Sequence, residues 1–522
     1  PRHPAMNPLF HALTQAFPAD VTATAIECPG AAGEMDALRY SWQDVLDGSA
    51  MMANLLLSLP VQSGDRVLVQ VEKSVEALML HLAILRAGLV HVPLNTAYQS
   101  AEMQHFVNDA KPKVVVCAGA HFGWMGPLAF NAGAHSVFTL NTDRTGTLLS
   151  RAAFHPRQHE VVPVAPEALA CIIYTSGTTG RSKGAMLSHH NLLSNARTLH
   201  EAWGWQASDV LVHALPLFHV HGLFVAAQGA LMAGAKMLWF NKFEPAEVLE
   251  ALPQATLFMG VPTLYTRLLA QPGLNPAACA GMRLFISGSA PLLKETFDTW
   301  RERSGHTILE RYGMSETVML TSNPYRTTEG ERKGGTVGRP LPEVQVRVVK
   351  AEGAPCGTDE VGDIQVRGPN VFAGYWQMPE KTAEEFTADG WFKTGDVGSF
   401  DADGFLRISG RSKDLIISGG YNVYPAEVEG YLNALPGVQE SAVIGLPHPD
   451  FGEAVAAVVV PRAGFAPPAE WPATLMQTLR GQLAAFKCPK AIFVQPELPR
   501  NAMGKVQKNL LRQQHAGRFK PS

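Results

Sequence analysis

Through roughly the first three hundred residues of the chain, apolar runs of strand length alternate with stretches whose apolar positions recur at helical spacing. That alternation predicts parallel sheets covered by helices. "LACIIYTS" (169–176) reads as a buried strand entering a Gly-rich loop, and "SHHNLLSNARTLHEAW" (188–203) as a helix with Ser188 at its N-cap. "DVLVHALP" precedes a helix beginning near Gly222, "ATLFMG" precedes "VPTLYTRLL", and "MRLFISGS" precedes "APLLKETFDTWRER". In units of this kind, ligands gather at the carboxyl ends of the strands.

From about Pro342 the pattern changes to short strands and turns, "EVQVRVVK", "GDIQVRGP" and "GSFDADGFLRISG", with Asp403-Gly404 reading as a hairpin turn. After "GRSKDLIISGGYNVYPAEVEGYL" the remaining segments ("SAVIGL", "EAVAAVVV", "LMQTLRGQLAAF", "AIFV") mix helix and strand. The expected fold class is α/β: a large N-terminal domain over residues 1–410, a hinge at 411–413 and a small α+β C-terminal domain over 414–522. The most apolar stretch, residues 222–240, is interrupted by Gln228, Lys236 and glycines, so it is expected to be a buried helix, a turn and a core strand rather than a membrane span.

Composition narrows the class of partner. The chain has 522 residues, enough for about two to four domains. It has 43 Lys plus Arg against 46 Asp plus Glu, so a net charge of −3 gives no electrostatic footprint for nucleic acid or an anionic membrane, and any bound anion must be held locally. Six widely spaced cysteines, without a C-x-x-C pair, are expected to be reduced thiols of a cytoplasmic protein rather than disulfides or zinc ligands. The opening "PRHPAMNPLFHAL" lacks the charged region and apolar run of a secretory signal, and Met6 is the expected natural start. Monomer and homodimer are both compatible with the sequence.

"YTSGTTGRSKG" (174–184) is suited to phosphate but is not a P-loop, because Ser182 stands where Gly is wanted and Gly184 follows Lys183 where Ser or Thr is wanted. Hydroxyls and backbone N–H groups of Thr175, Ser176, Gly177, Thr178, Thr179 and Gly180 can wrap a polyphosphate, with Arg181 and Lys183 supplying charge. "ERYGMSET" (310–317) is expected to follow a short strand, "HTIL", and offers Tyr312 for stacking and Glu316 as a hard ligand for Mg²⁺. "GWFKTGD" (390–396) places Asp396 after a tight turn, suited to ribose hydroxyls; "GRSKD" adds Arg411, and "LPRNAMGKVQK" puts Lys505 in a Gly-flanked loop.

Taken in order, these motifs resemble those of the adenylate-forming superfamily of acyl-CoA synthetases, adenylation domains and luciferases. The resemblance implies two α/β sheet subdomains and a β subdomain in the large domain, a mobile C-terminal domain, and ATP, Mg²⁺ and coenzyme A as the small molecules used. By motif position, Thr178 and Glu316 would hold the metal, and Gly288, Ser289, Ala290, Glu310, Arg311, Tyr312 and Gly313 would lie at the nucleotide. Asp396 and Arg411 would take the ribose, Lys505 the reacting oxygens, Lys413 the hinge, and Gly419 and Gly420 the pantetheine tunnel. "PLNTAYQ", "HALPLFHVHGLFVA", "MGVPTLYTRLL" and "ERYGMSETVMLTSNPY" are similar to the malonyl-CoA synthetases of that superfamily, in which Arg267 and Ser289 would bind a distal carboxylate, His219 would stand at the mouth of the acyl site, and Val220 and Met314 would line it. His221 is left open. Arg283 and Lys236 open strands at their amino ends, away from the site, whereas Arg267 lies in the helix after "ATLFMG" and is expected to turn back into the cleft. The alternatives are a ligase for another short or aromatic acid and a nucleotide-binding protein without turnover.

Overall fold

The computed structural model describes residues 6–30, 37–175, 182–418, 421–483 and 485–519. It resolves into two compact units: Pro1–Gly334, Pro340–Gln345 and Arg367–Glu384 form one; Gly335–Arg339, Val346–Val366 and Glu385–Ser522 form the other.

The first unit is built on two predominantly parallel sheets. In one, strands Leu309–Met314, Leu284–Ser287, Leu257–Gly260, Val210–His213, Lys236–Trp239 and Thr24–Cys28 lie side by side and parallel, bordered by antiparallel Val318–Ser322 and Leu38–Ser41. In the other, Leu169–Tyr174, Val90–Pro93, Arg66–Gln70, Val114–Cys117 and Ser136–Thr139 are parallel, and Gly184–Ser188 with Gly374–Tyr375 extends it antiparallel. Strands such as Leu257–Gly260 and Leu284–Ser287 are buried along their whole length, which is why they read as continuous apolar runs rather than alternating ones.

Ser188 caps helix His189–Ala202 as expected: its hydroxyl accepts from Asn191 N at 3.0 Å while Asn191 Oδ1 accepts from Ser188 N, a closed capping box. The apolar stretch after Gly222 does fold as helix, turn and strand. Its helix opens as a π-helix over His221–Gln228, continues as Gly229–Ala233, and turns at Gly234 (φ 66°) into strand Lys236–Trp239. Among the described residues, no helix is long and apolar enough to cross a membrane.

The second unit carries the small antiparallel sheet, Gln345–Val349, Gly362–Arg367, Phe392–Phe400 and Leu406–Arg411, with Gly404 (φ 80°) in the expected hairpin turn. A second sheet joins Tyr421–Val423, Ile416–Ser418, Gly452–Pro461, Val438–His448 and Ala491–Val494. This small sheet was expected to close the N-terminal domain at residue 410. In the compact division it groups with the residues beyond Lys413, because helix Pro425–Asn433 packs on strand Leu406–Arg411. Cys28, Cys117, Cys171, Cys279 and Cys356 are free thiols.

Arg283 and Asp209 staple the amino ends of two strands of the larger sheet through Nε–Oδ1 at 2.8 Å and Nη2–Oδ2 at 2.7 Å, with the Asp209 side chain 3% exposed. Removing one partner strands a buried charge. Arg283→Met is expected to lower unfolding stability by about 2–4 kcal/mol in a denaturant titration; a change within ~0.5 kcal/mol would show that the pair is not the clamp described.

Candidate active site

Strands Leu169–Tyr174 and Gly184–Ser188 pair antiparallel, and Thr175 N donates to Lys183 O at 2.9 Å. The phosphate-type loop is therefore a hairpin loop closed at its neck, not the strand-to-helix turn that the sequence suggested. Ser176, Gly177, Thr178, Thr179 and Gly180 lie outside the described residues, as do Gly419 and Gly420. Lys183 Nζ stands over the ring of Tyr375 at 4.6 Å, and the Tyr375 hydroxyl donates to Glu316 Oε1 at 2.8 Å. Tyr375 thus links the loop's cation to the acid proposed for Mg²⁺. The sequence reading missed it because it reaches the site only through the pairing of Gly374–Tyr375 with the strand after the loop.

"ERYGM" does not follow a strand; it is one. Leu309–Met314 pairs parallel with Leu284–Ser287 and antiparallel with Val318–Ser322, so its side chains alternate between faces. Glu310 and Arg311 are buried, whereas Tyr312, Gly313 and Met314 are half-buried. The Arg311 guanidinium packs against Gly288, where a Cβ would stand 2.2 Å from its Cζ, so any larger residue there would have to displace the guanidinium. Ser289, next in chain, holds a left-handed φ of 72°, a strained conformation of the kind that clusters at ligand sites. Its hydroxyl lies 3.3 Å from His221 Nδ1.

Among the described residues, no carboxylate pairs with Arg311. Its Nε and Nη2 lack a hydrogen-bond partner among the described residues, as does His221 Nε2, and burial pulls the Arg311 pKa down to about 9. His221 is held neutral by burial first and then by the charge of Arg311. Half-buried His219 accepts from His221 N at 3.2 Å, and Val220 between them is buried. An unpaired buried guanidinium with two free N–H directions, beside a serine hydroxyl and a neutral imidazole, is a receptor for an anion.

Arg267 stands differently from expectation. Helix Pro262–Leu269 buries Leu264, Tyr265 and Leu268, and Arg267 falls on its flank, exposed, with its guanidinium 4.9 Å from the ring centre of Phe243. Helical geometry turns it away from the core-facing stripe. Lys236 and Arg283 are consumed, as expected of strand amino ends, by Glu27 at 2.6 Å and by Asp209. Elsewhere in this unit, His81, His91 and Cys171 cluster within 4.8 Å, but the His81 and His91 Nδ1 atoms are 2.8 Å apart. That is a hydrogen bond, tighter than the ~3.3 Å between two nitrogens bound tetrahedrally at zinc distances.

In the second unit Asp396 is mid-strand rather than after the turn. It faces Arg411 across the hairpin, with Arg411 Nε 3.0 Å from Asp396 Oδ1. Lys505 is displayed by a tight loop that Asn501 organises: Asn501 Oδ1 accepts from Met503 N and Lys505 N, both at 3.0 Å, and Asn501 N donates to Lys505 O at 2.9 Å. Burial, then the charges of Arg411 and Lys413, lower the Lys505 pKa to about 8, while Asp396 and Asp414 oppose them. Lys413 itself is lowered by burial and by Arg411. Lys505, Arg411, Asp396 and Lys413 therefore form one electrostatic group.

The AMP-binding enzyme family model matches residues 15–376, and the AMP-binding enzyme C-terminal domain model matches residues 427–505. A malonate–CoA ligase of Arabidopsis thaliana is 34% identical over 96% of this chain and 88% of its own length. The mitochondrial malonate–CoA ligase of Mus musculus is 36% identical over 91% of this chain and 87% of its own. The crystal structure of ATP-bound MatB from Rhodopseudomonas palustris superposes with a TM-score of 0.94 at 48% identity, covering 99% of this chain and all of that one.

The depressed Lys505 pKa is directly measurable. Competitive labelling with an amine-reactive reagent, read peptide by peptide, is expected to give a Lys505 midpoint near pH 8. Arg411→Gln is expected to move that midpoint up and Asp396→Asn to move it down. A midpoint in the ordinary lysine range would dissolve the group.

Proposed function

This chain belongs to the AMP-binding enzyme family, and on that premise we propose that it is an AMP-forming acid–thiol ligase that joins malonate to coenzyme A through a malonyl-adenylate. The observation that carries the substrate is buried Arg311, whose Nε and Nη2 lack partners among the described residues. A plain short-chain or aromatic acid would leave that charge unmatched in a dry site, whereas the second carboxylate of malonate neutralises it. The relatives named as malonate–CoA ligases support the same reading.

Activation is needed because oxide is not a workable leaving group from a carboxylate. One malonate carboxylate attacks the α-phosphorus of ATP and pyrophosphate departs; the thiol, losing its proton, then attacks the acyl carbonyl carbon of the adenylate, and AMP departs as the thioester forms. Arg311, Ser289 and His221 hold the distal carboxylate, with Arg267 reaching the rim from its flank of helix Pro262–Leu269, and His219, Val220 and Met314 bound the acyl group. Lys183 and the Gly-rich loop receive the β- and γ-phosphates, Asp396 accepts from ribose hydroxyls with Arg411 fixing its orientation, and Tyr312 lies at the adenine. Glu316, a buried oxygen donor 6% exposed, fits Mg²⁺ together with Thr178. Such an ion would neutralise phosphate charge while Tyr375 holds the Glu316 carboxylate in place.

Lys505, still mostly charged at neutral pH, donates to the oxygens that gain charge during adenylation. The thiol must afterwards approach from where Lys505 stood, along Gly419 and Gly420. We therefore assign Lys413 as the hinge about which the C-terminal part turns between half-reactions. The proposed compartment is the cytoplasm; the mouse relative is named mitochondrial, so fractionation of the native host decides it.

A panel of mono- and dicarboxylic acids assayed for coenzyme A-dependent AMP formation is expected to rank malonate first. Methylmalonate is the informative second, since one methyl against Val220 changes binding by only ~1–3 kcal/mol. Arg311→Met and Arg267→Ala are each expected to lower kcat/KM on malonate by about 100-fold or more, and on propionate by less than about 10-fold. An equal loss on both acids removes that residue from the role. Lys505→Ala is expected to abolish malonyl-AMP formation while preformed malonyl-AMP is still converted to thioester; joint collapse of both half-reactions would sink the hinge.

A further inference from the structure

Lys73 follows strand Arg66–Gln70 and is buried, yet among the described residues no carboxylate meets its ammonium. Its Nζ instead makes three contacts at hydrogen-bond distance: His213 Nδ1 at 2.7 Å, His213 O at 3.0 Å and Phe240 O at 2.7 Å. The face of Trp239 lies 4.4 Å away and stacks on the His213 ring with centroids 4.6 Å apart. Three acceptors and an aromatic face saturate an ammonium group, so Lys73 bolts its own sheet to the carboxyl ends of strands Val210–His213 and Lys236–Trp239 in the other.

The bolt fixes more than the sheets. His213 Nε2 is 2.7 Å from Gly222 O, and because a carbonyl only accepts, Nε2 must carry the imidazole proton. Its Nδ1 is then the lone-pair side, the side that Lys73 addresses. A protonated Nδ1 would point N–H against N–H, and burial together with the Lys73 charge holds His213 neutral. Gly222 lies in the first turn of the π-helix His221–Gln228, pressed so close to Pro216 O that a Cβ would stand 1.9 Å from it. At the far end of the same π-helix, Gln228 Nε2 lies 2.9 Å from His81 Nε2. Side chains inserted against a helix's own ladder distort it, and a π turn closes its hydrogen bond over one more residue than an α turn.

We propose that Lys73 is a positioning residue for acyl recognition: by fixing the His213 tautomer it secures the His213–Gly222 bond, which selects the π turn and so sets where His219, Val220 and His221 stand. Without that bond the segment relaxes toward α geometry, and those three residues rotate by up to ~100° relative to the helix that follows. This inference rests on the acyl site proposed above, and it predicts an effect on the acid but not on the nucleotide, since the bonds and ring contacts of Lys73 and His213 among the described residues include neither Lys183 nor Glu316.

The test compares Lys73→Met, which keeps the aliphatic stem, with His213→Leu and His213→Gln. An amide at 213 can still donate to Gly222 O and accept from Lys73. Steady-state AMP formation is measured with acid and ATP varied in turn, alongside the thermal midpoint of each variant. Lys73→Met and His213→Leu are expected to raise the KM for malonate about 10-fold or more and leave the KM for ATP within about twofold; His213→Gln is expected to restore the malonate KM to within about threefold of wild type. A lowered kcat with both KM values unchanged would mean that the bolt only stabilises the fold, and would overturn the proposal. If Lys73→Met does not fold, the two His213 variants decide: equal KM values for malonate in both would also overturn it. Should wild type ignore malonate, the functional reading fails on its own, and the same comparison is run with whichever acid the panel ranks first.

Discussion

Parallel pairing is the constraint on which the first unit depends. Parallel strands cannot be joined by tight hairpins, so each returns through a crossover, and every segment leaving a carboxyl end emerges on the same edge. In one sheet that edge releases Thr175 and, two strands away, Lys73; in the other it releases the segments carrying His219 to His221, Arg267 and Ser289. Lys73 touching His213 and Phe240 shows that the two edges meet. A pocket with contributors from distant parts of the chain follows from connectivity before any side chain is considered.

Burial then decides what that pocket can hold. Lys73 is a buried cation whose hydrogens all find acceptors, and its role is internal. Arg311, at the same depth, packs on Gly288 with two donor atoms unmatched among the described residues. Leaving a guanidinium unmatched is expensive unless a ligand completes it, so the contrast between two buried cations separates a structural one from one that awaits an anion. Glu316, fixed by the Tyr375 hydroxyl, is the converse: a buried carboxylate joined through one tyrosine to Lys183.

Several features were legible from local pattern alone. The capping box at Ser188, the turn at Gly404, the buried strands around "LFMG" and "LFIS", and the amino-end positions of Lys236 and Arg283 all follow from spacing, because each is decided by residues within a few positions or by the polarity of a single strand. The ordered motifs pointed to the family for a related reason: phosphate, ribose and lysine functions each need particular residue types close together in the chain. The orientation of Arg267 was less legible. A helical position fixes which residues share a face, but whether a flank residue turns inward depends on what lies opposite, and here Phe243 offers a ring outside.

By itself, then, the sequence determined the class of chemistry, the alternation of strand and helix, and the residues that nucleotide and lysine chemistry require. The tertiary structure alone decided that "ERYGM" is a strand with Arg311 turned inward, that Tyr375 stands between Lys183 and Glu316, that Asn501 shapes the loop presenting Lys505, and that a lysine following one sheet bonds the histidine that reaches a π-helix of the other. Each of these depends on contacts between residues far apart in the chain, where strand pairing and burial, not local preference, choose which polar atoms face each other and which are left for a ligand.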